Sequence, residues 1–111
     1  MEDMITVDVN IVKTNINKKI VNLKNKGITV NEKCVNLRHI MYDLGLLYDG
    51  IKNPTIRRRI KVITDKLYYH NIYDVLLVEK INVDALEKAI MSILENIPNK
   101  TIPINLLFTL D

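Results

Sequence analysis

Apolar and polar positions change period along this chain, and the changes mark its elements. Over residues 4–12, Ile5, Val7, Val9 and Ile11 alternate with Thr6, Asp8 and Asn10, the pattern of a half-buried strand built from β-branched side chains. From Thr14, a suitable helix cap, the spacing lengthens to Ile16, Ile20 and Leu23. Lys24 and Lys26 suit a helix C-terminus, and Gly27 is placed to supply a left-handed stop. Asn31 then caps a second helix with Glu32 in its first turn and Leu37, Ile40, Met41, Leu44 and Leu47 on one face. Gly45 weakens that helix and Gly50 ends it. Asn53 as cap and Pro54 at the first position, where a missing N–H costs nothing, open a third helix over 54–67. Its stripe is Ile56, Ile60, Ile63 and Leu67. Asn82 caps a fourth, with Leu86, Ala89, Ile90, Ile93 and Leu94 recurring at helical spacing.

Two stretches resist assignment by period. Residues 68–71 break the third helix pattern, and the continuous apolar run at 75–78 makes 72–79 either a buried strand or a short buried helix. Pro98 and Pro103 bracket the exit from the fourth helix, and residues 104–110 form an apolar tail. Such a tail is expected on the core, on the first strand or on a second copy of the chain. The pattern describes one mainly α domain of residues 1–111, with about four helices, an N-terminal strand and room for one or two further short strands.

Composition narrows this further. The chain has 111 residues, enough for one core without covalent staples, and 48% of them are hydrophobic. Aromatics reach only 5% with no tryptophan, so aliphatic side chains must fill the interior. Cys34 is the single cysteine, which excludes an internal disulfide and fits a reducing, intracellular setting. The first residues lack the basic start and apolar run of a signal peptide, and no stretch approaches the length of a membrane span. A soluble protein without a membrane partner is expected. The net charge of +3 is modest, but its distribution is not even: three of the four arginines are Arg57, Arg58 and Arg59, flanked by Lys52 and Lys61. A second basic group comprises Lys18, Lys19, Lys24 and Lys26.

The arginines sit in a recognisable order. Gly50, Ile51, then Lys52, Asn53 and Pro54, then Thr55, Ile56, Arg57 to Arg59 and Ile60 resemble the turn and recognition helix of helix-turn-helix DNA-binding proteins. The Thr-aliphatic-basic-basic-basic-aliphatic run is similar to that of the factor-for-inversion-stimulation family. The resemblance is confined to residues 46–60, and Leu46 and Asp49 stand where the pattern usually has alanine and an apolar residue. It implies a regulatory DNA-binding protein, dimeric as such readers usually are. At 100° per residue Arg58, Lys61 and Asp65 face outward, with Arg57 and Arg59 on the shoulders. Lys52, Asn53, Thr55, Arg57, Arg58, Arg59 and Lys61 are therefore the candidate nucleic-acid-binding residues. Thr55, Lys52 and the first amides of the helix would meet phosphate, and the arginines phosphate and base edges. The plainer alternative is a solvated helix face, with or without pairing to Asp43, Asp49 or Asp65.

No catalytic or metal-binding pattern accompanies it. His39 and His70 lack metal-ligand spacing, Cys34 reads as a small core or boundary residue, and the three glycines form no phosphate loop. Asp74, Glu79 and Lys80 lack the spacing of a metal-dependent nuclease. No cofactor and no enzymatic activity are expected. Tyr68, Tyr69 and Tyr73 can stack on bases but more commonly border a core. The competing function is a helical protein–protein interaction module (an adaptor, inhibitor or assembly factor) working through the apolar tail, as a homodimer or with a protein partner.

Overall fold

The computed structural model describes residues 4–69 and 78–105. Its order is β1 (Met4–Asp8), α1 (Val9–Leu23), α2 (Val30–Gly50), α3 (Pro54–Tyr69), α4 (Val83–Leu94) and β2 (Thr101–Asn105). The fold is mainly helical. The two strands pair antiparallel, Met4 opposite Asn105 and Asp8 opposite Thr101, so a two-stranded sheet joins the two ends of the described chain. The apolar tail thus begins on the first strand. Residues 106–111 lie outside the described residues, as do 70–77, which hold His70, Tyr73, Asp74 and most of the ambiguous 72–79 run; Val78 is buried.

The alternation at the start runs shorter than its pattern. The strand stops at Asp8, whose side chain accepts from the Asn10 amide at 2.9 Å and caps α1 there rather than at Thr14. Thr14 lies inside the helix and donates to the Asn10 carbonyl at 2.9 Å. The reason is a second stripe hidden in the same residues. Val9, Val12, Ile16, Ile20 and Leu23 recur at three and four, and all are buried, while Ile11 is left 57% exposed. Burial of five side chains on one helix face outweighs the short-range preference of Val and Ile for a strand.

Two other boundaries differ from the pattern. α2 is capped by Thr29, not Asn31: the Glu32 amide donates to Thr29 Oγ1 at 3.1 Å and the Thr29 amide to Glu32 Oε1 at 3.2 Å. This reciprocal capping box is legible as Thr-x-x-Glu. Gly27 supplies no left-handed stop, since α1 closes through Lys24 in a right-handed conformation and Gly27 is not at positive φ. The ends at Gly50, Asn53 and Asn82 fall where the sequence places them.

The core is aliphatic, as the composition requires. α1 packs on α2, and α3 on α2, with α4 closing against α1 and α3. Cys34, Leu37, Ile40, Leu44 and Leu47 of α2 meet Ile60, Ile63 and Leu67 of α3 and Ile90, Ile93 and Leu94 of α4. Among the described residues no polar side chain is buried. Polar ties sit at the rim: Lys24 pairs with Glu87 between α1 and α4, and the Lys13 ammonium donates to the Ile97 carbonyl. The hydrogen-bonded carboxylate of Glu87 holds Lys24 above its ordinary pKa.

Gly50 has a steric role that its place at a helix end does not reveal. A Cβ there would lie 2.9 Å from Cγ1 of Ile102, a buried residue of β2, and closer still to its Cδ1. The end of α2 is therefore the seat of the returning C-terminal strand. Gly45 is the opposite case, a mid-helix glycine with nothing within 4 Å of the position its Cβ would take.

Two stability predictions follow from these positions. Gly50→Ala is expected to cost about 1–3 kcal/mol by overpacking against Ile102, whereas Gly45→Ala gains roughly 0.5–1 kcal/mol of helix propensity. Urea denaturation of both variants checks the pair, and equal effects would remove the Ile102 seat. Asp43, half-buried on α2, has its carboxyl pKa raised by burial, with Lys19 and His39 opposing. A raised carboxyl pKa adds stability in full below the unfolded value, about pH 4, and loses it as pH rises through the folded value. Asp43→Asn should thus gain melting temperature relative to the native chain between about pH 4 and pH 7; a gap constant with pH would contradict the assignment.

Candidate nucleic-acid interface

The turn and α3 are built by Asn53. Its Oδ1 accepts from the amides of Thr55 at 2.9 Å and Ile56 at 3.2 Å, and its carbonyl accepts from the Arg57 amide at 3.0 Å. Pro54 has no amide to offer. The first amides of α3 are therefore already occupied, which corrects the expectation that they meet phosphate. Contacts at this end of the helix fall to side chains.

Of the seven candidates, Lys52, Asn53, Thr55, Arg58, Arg59 and Lys61 are exposed and Arg57 is half-buried. Arg57 leaves the set in its chemistry. Its guanidinium lies 4.2 Å from the centroid of the Tyr48 ring on α2 and reaches the Ile51 carbonyl at 3.5 Å. It thus ties α3 to α2 and to the turn instead of facing solvent. Lys61 lies 3.6 Å from Asp65, a solvent-exposed pair of small energy that leaves Lys61 accessible. Arg58 and Arg59 have no ion-pair partner among the described residues. Pairing with a neighbouring aspartate is thus seen for Lys61 and not for these two arginines, whose exposure equally fits a solvated helix face.

Helical geometry extends the surface by one residue. Lys66 is exposed and lies seven residues after Arg59, two turns along the same row. Arg58, Arg59, Lys61 and Lys66 surround Val62, which is 48% exposed, and Asp65 is the acid among them. Lys66 was legible by carrying the helical row beyond the motif, and Tyr48 was not, because its contact crosses between helices. The second basic group is differently placed: Lys24 is engaged by Glu87, and Lys19 faces Asp43.

The other candidate chemistry is dispersed. His39 is exposed on α2 and Cys34 is buried in the core. Among the described residues no group of three or more His, Cys, Asp or Glu side chains is arranged to hold a metal ion. Tyr68 is 71% exposed at the end of α3. No helix among the described residues is long and apolar enough to cross a membrane. No protein-family model, curated protein or solved structure matches the chain.

The division of labour among the arginines is measurable. Arg57→Ala and Tyr48→Leu should each destabilise the fold and couple by about 0.5–1 kcal/mol in a double-mutant cycle. Arg58→Ala and Arg59→Ala should stay within about 0.5 kcal/mol of the native chain. A zero coupling would return Arg57 to the solvent-facing set.

Proposed function

We propose that this chain is a regulatory DNA-binding protein of helix-turn-helix type, with α3 as its recognition helix. The observation that carries the proposal is the exposed set of Arg58, Arg59, Lys61 and Lys66 on a helix anchored from behind by Ile60, Ile63 and Leu67. Cations held on a rigid helix can meet phosphate while one or two reach base edges, and arginine is suited to bidentate contact with guanine. Arg57 serves the site indirectly, by fixing α3 on Tyr48. Lys52 and Thr55 supply side-chain contacts to the backbone.

One observation favours a second reading, a module that binds another protein. An open groove of about 380 Å³ runs between α2 and α3, lined by Met41, Gly45, Tyr48, Ile60, Asp65 and Tyr68 among others. Gly45 costs α2 helix stability without any neighbour that requires its small size, and it leaves room in that groove.

The test is binding to a fluorescent random-sequence duplex across a salt series, with the Arg58→Ala/Arg59→Ala/Lys61→Ala variant alongside. The native chain should bind in the micromolar range or tighter at low salt, with a log–log slope of about −0.9 per phosphate contacted, and the variant should lose most of both. A folded variant that binds as tightly as the native chain would remove α3 as the recognition helix, and no binding by the folded native chain at low salt would sink the DNA reading and leave the groove as the functional surface.

A further inference from the structure

A second open cleft, of about 440 Å³, lies between the α2–α3 turn and the connection that leads into β2. Lys52, Asn53 and Ile56 line one side, and Asn96, Lys100 and Thr101 the other. Among the described residues no acidic side chain lines this cleft. The α2–α3 groove by contrast carries both Asp49 and Asp65. Two lysines 48 positions apart in sequence thus share a cleft in which no described residue supplies a carboxylate.

The sides are fixed relative to each other. The Lys100 carbonyl accepts from the Val9 amide at 2.9 Å, which holds the connection at the start of α1. Two residues on, Ile102 is seated against Gly50, immediately before the turn that carries Lys52. The amides of Thr55 and Ile56 are taken by Asn53, so an anion entering the cleft meets ammonium groups and neutral side chains. The cleft opens beside the first turn of the helix that bears Arg58 and Arg59.

We propose that this cleft grips the phosphodiester backbone of the nucleic acid, with Lys52 and Lys100 as two phosphate contacts beside the base-facing row of α3. The proposal rests on the DNA reading of α3 and extends its footprint to the C-terminal connection. Neither lysine reads sequence; they set the register of the helix on the duplex.

The experiment compares the salt dependence of duplex binding for the native chain, Lys52→Ala, Lys100→Ala, the double variant, Lys100→Arg and Lys88→Ala, with folding checked by circular dichroism. Lys88 is exposed on α4 and lines neither opening, so its variant matches the charge change alone. Each cleft alanine should make the log–log slope shallower by about 0.9, which is about eightfold weaker binding at 0.1 M salt when referred to 1 M. The double variant should lose about twice that slope, while Lys100→Arg and Lys88→Ala stay near native. A native slope for Lys100→Ala, in a chain whose binding still depends on Arg58 and Arg59, overturns the cleft and leaves the α3 reading standing. Equal losses in Lys88→Ala and Lys100→Ala reduce the effect to net charge and overturn it as well. If inorganic phosphate at matched ionic strength displaces the duplex from the native chain, the cleft takes a free anion and not the backbone. Absence of any binding by the folded native chain removes the α3 reading, and the cleft falls with it.

Discussion

The contact between Ile102 and Gly50 is where the two ends of this fold are held to its middle. β1 and β2 form only a two-stranded ribbon, and a ribbon of that size has marginal stability by itself in water. It persists by packing Val7 and Ile102 on the helical core, and the Ile102 side chain fits because residue 50 carries no Cβ. One approach therefore sets the return path of the chain, the position of the connection at residue 100 and the frame of the α2–α3 turn. A bulkier residue at position 50 would press on the strand, the turn and the cleft together.

Around that contact the buried side chains among the described residues are Ile, Leu and Val, apart from Cys34. Polar groups are kept at the rim, where Lys13, Lys24 and Glu87 tie α1 to α4 and to the segment after it. The buried side chains among the described residues carry no polar group to desolvate, so their specificity comes from shape.

The inner face of α3 belongs to the core, its Arg57 shoulder belongs to the contact with α2, and its outer face holds four cations around Val62. On the proposed reading these three layers correspond to anchoring, orientation and recognition. A helix could not serve the last role if the first two were loose, because a misplaced guanidinium loses the geometry that makes a bidentate contact selective. The α2–α3 groove with its vacant space at Gly45 keeps the protein-binding alternative physically definite, since its aspartates and tyrosines suit a different kind of partner from the arginine row.

Much of this was legible from local rules. Asn53 and Pro54, Asn82, the stop at Gly50 and the stripe of Ile60, Ile63 and Leu67 each depend on residues within a turn or two, so spacing and capping chemistry suffice. The outward placement of Arg58 and Lys61 followed from the same geometry, which set Arg59 on a shoulder. What the sequence could not decide depended on partners distant along the chain. Residues 9–12 fit both a strand and a helix, and only burial against α2 selected the helix. Arg57 looks like its neighbours until Tyr48 is found beneath it. Gly50 reads as a helix stop, and only Ile102, 52 positions later, shows that it is also a seat. Lys100 carries no motif at all and joins Lys52 only through the strand that folds back. Local hydrogen bonding and hydrophobic period determined the helices; the packing of remote segments decided which side chains share a surface.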